Sequence, residues 1–588
     1  MRFFRPAIRP YVGRHADQTR DRLVFVAVCC LTVYAVIVGR LVWLGTQEYE
    51  GRTLRAKGDP AITASRPDLL DRNGELLAMD IKMSSLFAVP REVQDHRATY
   101  EALASVFPDL DQAAVMRAFR SNGSFRWIKR EVTPEQQAAV MELGLPGIRF
   151  ERESRRFYPA GRVAAHVLGH VNVDNRGAAG MEKRLDLDGL ADLHKYGFAV
   201  SQKLDPVRLS LDLRVQHVVR DVLADAITRY RAIAAGGVVL NAHTGEVVSM
   251  VSLPDYDPNE PRDALVPENL NRITKGVFEM GSTFKAFSTA MALDSGRVRL
   301  SSRFDARKAV RFGRHRIGDF HGKNRVLSVP EIFIYSSNIG TIRMTQTVGP
   351  KVQRDFLKDL GLLDPLEFEL PEIARPQEPR DRPWKAVSAA TISYGHGLST
   401  TPLQTAVAGA ALINGGLLIP PTLVPRDRSQ ADRLAKRVIR PETSDKMRYL
   451  YRLNVLAGSG KRAEVPGFLV GGKTGTANKK KKNGRGYDRT RRFNAFLSAF
   501  PMHDPQYVVL VFIDEPKSEK KGRGATSGLN AAPAVGEIVR RAAPLLGVSP
   551  DMRVRETGVL ADYRGGPSRS HLFAGRNSSR GDNAWPSR

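Results

Sequence analysis

A serine three residues ahead of a lysine, at the start of an apolar stretch, is a compact pair for acyl transfer. Ser282 and Lys285 form such a pair within Glu279-Met280-Gly281-Ser282-Thr283-Phe284-Lys285, and an apolar, helix-forming run follows to about Gly296. On a helix, residues i and i+3 share a face, so the amine of Lys285 comes within reach of Ser282. A serine hydroxyl is a poor nucleophile at neutral pH and needs a base. A lysine that is partly desolvated and close to cations has its pKa lowered enough to serve. A serine opening a helix also lies near free N–H groups and the positive end of the helix dipole. Alone the pattern is weak. Ser518 and Lys521 share the spacing in a charged stretch with no apolar helix behind it, and Ser282 also fits an ordinary helix start.

Two later elements sharpen the picture. Ser336-Ser337-Asn338, after Tyr335, supplies a hydroxyl and an amide that could relay and orient a proton. Lys473-Thr474-Gly475-Thr476 follows the run Phe468-Leu469-Val470-Gly471-Gly472 and precedes a strand beginning near Phe493. A lysine and two hydroxyls on a strand edge suit a substrate carboxylate. The glycine permits close approach of a substrate backbone, and a strand-edge N–H helps hold an oxyanion. Each element alone also fits a plain strand or turn. Together, in this order, they imply acyl transfer through a serine ester.

The elements that must position these groups follow from local pattern. Val215 to Tyr230 has helical periodicity. Gly237-Val238-Val239-Leu240 and Val247-Val248-Ser249-Met250 read as two strands around a tight turn at Thr244-Gly245-Glu246. Phe493 to Phe500 and Tyr507 to Ile513 read as two more strands, with helices dominating between the two groups. An antiparallel sheet built from both ends of the region and backed by helices is an α+β domain. Upstream, Arg66 to Gly74 reads as a strand entering an Asn-Gly turn. Gly177-Ala178-Ala179-Gly180-Met181-Glu182 reads as a turn followed by a charged helical segment. The stretch Asn478 to Arg492, rich in lysine and arginine, reads as a solvated loop, with steering of an anionic substrate as the alternative. After Val548 the chain is rich in Gly, Ser and Arg without apolar periodicity, and a disordered tail is expected.

From Leu23 to Leu44 the chain is apolar apart from Arg40, long enough to cross a bilayer. Arg2, Arg5, Arg9, Arg14, Arg20 and Arg22 precede it. The positive-inside rule places the N-terminus in the cytoplasm and the rest outside. A cleaved signal peptide would have a shorter apolar core and a small-x-small site, and none follows.

The length of 588 residues suggests more than one domain, and 42% hydrophobic with 26% charged residues is ordinary for a globular protein. The net charge of +28 invites a nucleic-acid reading. The basic residues are spread along the chain, with no zinc-finger spacing or RNP-like segment, so no nucleic-acid partner is expected. The two cysteines, Cys29 and Cys30, both lie in the apolar segment. A thiol nucleophile and a zinc–thiolate site are therefore excluded from the remainder, and no metal or cofactor is expected; His396 is read as structural.

These residues together resemble the class B penicillin-binding proteins, in the division-specific septal (FtsI-type) form. The resemblance is also carried by Leu253-Pro254, Asp257-Pro258-Asn259, Tyr394-Gly395-His396-Gly397-Leu398 leading to Thr401-Pro402-Leu403-Gln404, and Ala531-Ala532-Pro533. Met280 departs from it, standing where many relatives have proline. The implied layout is a basic cytoplasmic N-terminus (1–22), one transmembrane helix (23–44), a mixed α/β pedestal (45–207), a penicillin-binding transpeptidase domain with an antiparallel sheet flanked by helices (208–548), and the tail (549–588). The resemblance implies that Ser282 is the nucleophile, Lys285 the general base and Ser336 a proton shuttle. Asn338 would contact Lys285 and the substrate peptide. Lys473, Thr474, Gly475 and Thr476 would form the carboxylate-binding edge, and the backbone N–H groups of Ser282 and Thr476 the oxyanion hole. It further implies peptidoglycan stem peptides as substrates, β-lactam antibiotics as inhibitors, and a polytopic septal glycan polymerase (FtsW type) with other division proteins as partners, at the inner membrane of the septum. Alternatives are the elongation-specific relative and a non-catalytic scaffold or β-lactam sensor.

Overall fold

The computed structural model describes residues 24, 25, 28, 30–40, 66–190, 204–313, 315–481, 486–519 and 524–552. Contacts divide the chain into two units, 1–61 and 62–588. In the first, the described residues are helical, and apolar side chains such as Phe25 and Leu31 are exposed. Among the described residues no helix is long and apolar enough to cross a membrane. The remainder of the expected span, 23–44, lies outside those residues, as does the expected tail beyond residue 552.

In the second unit, the Asn-Gly turn forms as the pattern requires. Asp71 Oδ1 accepts from the N–H groups of Asn73 (2.7 Å) and Glu75 (2.9 Å), and Gly74 takes φ +92°. The turn joins Leu69–Leu70 to the long strand Leu76–Ala88, which pairs antiparallel with Ile148–Phe157 and Arg126–Val132. Val207–Arg208 returns to pair in parallel with Leu69–Leu70. Leu86, Leu103, Phe107, Phe119 and Val132 form a small separate core against helices His96–Val106 and Gln112–Phe119. Arg66 and Arg156 are buried together on Glu182, at 2.8 and 2.7 Å. The segment Gly177–Ala179, expected as a turn, is instead a short strand paired with His170–Val171, before the helix Gly180–Leu185. The built Cβ of Gly177 would lie 2.2 Å from the Glu182 carbonyl oxygen, so the extended strand passes too close for a side chain.

Downstream, helix α1 (Leu213–Tyr230) leads into strands β1 (Ala234–Asn241) and β2 (Val247–Leu253). Helices α2 (Lys285–Asp294), α3 (Val329–Tyr335), α4 (Asn338–Gln346), α5 (Pro402–Ala411) and α6 (Pro441–Ala457) follow. Strands β3 (Gly471–Lys480), β4 (Tyr487–Phe500) and β5 (Tyr507–Asp514) and helix α7 (Ala531–Ala542) close the unit. The sheet order is β3-β4-β5-β1-β2, and every neighbour is antiparallel. The alternation of strand side chains explains the layering. Val239, Val509, Val511 and Ile513 face α1 and α7, packing on Val219, Leu223, Val535 and Ile538. Val238, Leu240, Leu510 and Phe512 face the other way, onto Phe284, Phe287, Leu403 and Ala406. Both faces are covered, so these strands read as continuous apolar runs. The α+β class with a helix-flanked antiparallel sheet is what the strand pattern predicted.

The basic stretch 478–492 is not simply a loop. β3 continues to Lys480 and β4 begins at Tyr487, with Asn478 opposite Arg492 and Lys480 opposite Tyr487. Acidic residues at the end of β5 stabilise this extension: Lys479 Nζ lies 3.0 Å from Asp514 and 2.9 Å from Glu515, and Arg491 2.8 Å from Glu515. Residues 482–485 lie outside the described set.

Candidate active site

Ser282 sits in a one-turn 3-10 helix, Gly281–Phe284, that runs directly into α2. It is half-buried, and its hydroxyl makes no hydrogen bond among the described residues. Two glycines let the sheet edge approach this turn. Gly281 has φ +54°, and a Cβ there would lie 2.8 Å from the carbonyl carbon and oxygen of Thr476. A Cβ on Gly475 would lie 2.3 Å from the Met280 oxygen. The turn and β3 therefore touch backbone to backbone, which puts the amide-bearing segments at Ser282 and Thr476 side by side. Gly395 backs the turn from the far side: its carbonyl accepts from the Gly281 N–H at 3.2 Å.

Lys285, the first residue of α2, is 1% exposed. Its Nζ donates to the Ser336 carbonyl at 2.5 Å and to Ser336 Oγ at 3.0 Å. Lys473 on β3 is fully buried, and its Nζ donates to the same Oγ at 3.0 Å and to the Thr474 carbonyl at 3.2 Å. One serine hydroxyl thus bridges two buried amines. Ser336 is presented by the break between α3 and α4, where it caps α3 in the left-handed region at φ +56°. That conformation costs a non-glycine residue roughly 1–2 kcal/mol and persists only where the surroundings impose it. Ser337 supplies part of that constraint. Its Oγ accepts from the Gly340 N–H at 2.9 Å to cap α4 and donates to Asp319 at 2.7 Å.

Burial sets the electrostatics. Desolvation pushes the Lys473 ammonium down to about 7. It pushes Lys285 well below the ordinary lysine range, the nearby Lys473 charge adds to the depression, and Asp319 opposes it. Burial thus disfavours the charged form of both amines, and on Lys285 the neighbouring Lys473 adds to the effect.

Thr474 Oγ1 is hydrogen-bonded to Ser459 Oγ, and Asn454 Nδ2 donates to the Gly472 carbonyl at 2.7 Å, holding β3 against α6. Thr476 Oγ1 accepts from the Ser527 N–H at 3.1 Å. Lys285, Ser336, Lys473, Thr474, Gly475 and Thr476 thus surround the Ser282 turn. Asn338 is placed differently from the expected contact with Lys285. Its Nδ2 donates to the Gly318 carbonyl at 3.1 Å, and the Lys285 amine is bonded to Ser336 instead. The reason is local: Asn338 is the first residue of α4, and the loop carrying Gly318 and Asp319 packs across that helix start. Sequence reasoning missed Asp319, Asn454 and Ser459, which belong to no short motif. It also passed over Glu279, whose carboxylate accepts from the Gly397 N–H and the Tyr487 hydroxyl, both at 3.0 Å.

Comparison with known proteins gives the family. The penicillin binding protein transpeptidase domain family matches residues 235–540, and the penicillin-binding protein dimerisation domain family matches 61–189. The chain is 40% identical over 499 residues to the probable peptidoglycan D,D-transpeptidase FtsI of Caulobacter vibrioides, covering 83% of this chain and 82% of that protein. It is 32% identical to the probable peptidoglycan D,D-transpeptidase PenA of Neisseria gonorrhoeae, covering 90% and 94%. The crystal structure of penicillin binding protein 3 from Mycobacterium tuberculosis, complexed with aztreonam, shares the fold. Its TM-score is 0.63 at 24% identity, over 83% of this chain and 98% of that one.

Proposed function

The chain belongs to the class B penicillin-binding proteins of the FtsI type, and on that premise we propose that it is a serine D,D-transpeptidase that cross-links peptidoglycan stems during septal wall synthesis. Ser282 attacks the carbonyl of the penultimate D-alanine of a donor stem. The Ser282 proton passes to the neutral amine of Lys285, and the backbone N–H groups of Ser282 and Thr476 receive the developing oxyanion. Lys473, Thr474 and Thr476 hold the terminal carboxylate. As the C–N bond breaks, a proton reaches the departing D-alanine through Ser336, and an acyl-enzyme remains on Ser282. An amine from a second stem then attacks that ester and releases the serine. β-Lactams enter by the same first step, their carboxylate on Lys473. Asn338, held at the start of α4, lines the channel for the donor peptide.

The observation that carries this reading is the Ser336 hydroxyl, 3.0 Å from both the Lys285 and Lys473 amines and beside the Ser282 turn. It provides a proton path between the nucleophile side and the carboxylate side of one cleft. The segment 23–44 anchors the chain in the inner membrane, with the N-terminus cytoplasmic and the catalytic unit periplasmic. Its apolar run, the six arginines ahead of it and its exposed apolar side chains support this. The partners of this reading are a polytopic septal glycan polymerase and other division proteins.

The test is turnover. Full-length protein in detergent, given polymerised glycan with pentapeptide stems, is expected to release D-alanine and form cross-linked dimers, and Ser282→Ala is expected to do neither. Cross-links formed equally by Ser282→Ala would overturn the reading.

A further inference from the structure

The transpeptidase reading leaves the second substrate, the attacking amine, without a binding group, and the structure holds an unused one three residues before Ser282. Glu279 is buried, its side chain 8% exposed. Its Oε1 accepts from Gly397 and Tyr487, whereas Oε2, also buried, has no hydrogen-bond partner among the described residues. A buried carboxylate oxygen without a donor is rare and needs a reason. His396 Nδ1 is a second buried atom without a partner. Its ring lies between Tyr394, at 5.2 Å, and Tyr487, at 5.4 Å, and Tyr487 is the residue that donates to Glu279. Two buried polar atoms without partners among the described residues therefore belong to one cluster.

The cluster is polarised for a cation. Burial holds the Glu279 carboxyl above its usual range, so the site gains from a positive charge. Burial, together with the nearby Lys285, pushes His396 down to about 4, so the imidazole is neutral at pH 7 and presents no charge to repel one. The charged and titratable groups facing Glu279 are Lys480, Tyr487 and Tyr394. Lys480 matters most. Its ammonium lies 3.8 Å from Glu279 Oε1, beyond hydrogen-bond distance, and its side chain is 58% exposed. A primary ammonium thus already approaches this carboxylate from solvent without closing on it.

We propose that Glu279 receives the primary ammonium of the acceptor stem, with His396 as its second hydrogen-bond acceptor, and that Lys480 occupies that place until the acceptor displaces it. This rests on the transpeptidase reading. In the step, the ammonium gives one proton to Glu279, which passes it to water. The neutral nitrogen attacks the ester carbonyl of the Ser282 acyl-enzyme and forms the new C–N bond. As the C–O bond breaks, the second nitrogen proton passes to Lys285 and from it to Ser282 Oγ. The products are an amide, the free serine and one proton released to solvent.

The test is the partition of one acyl-enzyme. Full-length protein is acylated with a soluble thioester of a donor peptide, and aminolysis by D-alanine is measured against hydrolysis. Both products leave the same intermediate, so their ratio is blind to the rate of acylation. Loss of a charge-assisted contact predicts a fall in this ratio of about tenfold or more in Glu279→Gln. Lys480→Met, which empties the place without touching the carboxylate, is expected to lower the apparent KM for D-alanine severalfold. An unchanged ratio in Glu279→Gln overturns the acceptor role, and an unchanged KM in Lys480→Met overturns the place-holding role. If the wild-type protein forms no acyl-enzyme at Ser282, the failure is that of the transpeptidase reading itself.

Discussion

Replacing Lys473 with methionine should change the pH profile of acylation in a direction the geometry dictates. Lys285 Nζ and Lys473 Nζ each lie 3.0 Å from Ser336 Oγ, so the two amines are no more than about 6 Å apart. At an effective dielectric of about 20, two unit charges at that distance repel by on the order of 3 kcal/mol. That corresponds to roughly two pH units on Lys285 while Lys473 is charged. Removing the Lys473 charge lifts the repulsion, and the pKa of Lys285 rises. More of Lys285 is then protonated at a given pH, and less is available as base. The assay is the second-order rate constant for acylation by a fluorescent penicillin, followed from about pH 5 to 9 in the free enzyme. The acid limb is expected to move to higher pH by about one to two units. At its plateau the variant should also be about 10–100-fold slower, from loss of the charge-assisted contact to the drug's carboxylate. An acid limb that stays in place or moves to lower pH would refute the electrostatic coupling of the two lysines.

Other outcomes follow from the same geometry. In the wild-type protein the ammonium of Lys473 titrates at about 7, so acylation by carboxylate-bearing β-lactams should decline as pH rises through that value, and Lys473→Arg should abolish the decline. Ser336→Ala should slow acylation by about 10²–10⁴-fold, read by stopped-flow labelling, because it removes the hydroxyl between the two amines. Ser336→Gly should be more stable than Ser336→Ala by roughly 1 kcal/mol in urea denaturation, because glycine adopts the left-handed cap without strain. Arg66→Met removes one of the two buried arginines on Glu182 and leaves Arg156 in place, so it should destabilise the protein by about 1–3 kcal/mol, measured as a lowered denaturation midpoint.

The central strands were legible because both faces are buried, so Tyr507–Asp514 reads as an unbroken apolar run. Its position between β4 and β1 was not, since that pairing joins residues more than 250 apart in sequence. The Ser282–Lys285 spacing was visible as local helical geometry. The convergence of Lys285 and Lys473 on one hydroxyl was not, because it depends on β3 lying backbone-to-backbone against the Ser282 turn. That approach is permitted by Gly281 and Gly475, and no spacing rule connects the two. The contact from Asn338 to Gly318 was not legible, because Gly318 comes from a loop with no motif. The basic hairpin was read as solvated because its neutralising acids, Asp514 and Glu515, come from another strand. In the sequence Glu279 stands only as a neighbour of the serine. Nothing local signals that Gly397 and Tyr487 converge on it.

The most direct test of the account is to treat the purified protein with a fluorescent penicillin and locate the adduct by peptide mass spectrometry, with Ser282→Ala in parallel. The account predicts one covalent adduct, on the peptide containing Ser282, and none in the variant. A folded wild-type protein that takes up no label, or one labelled equally in Ser282→Ala, would contradict it.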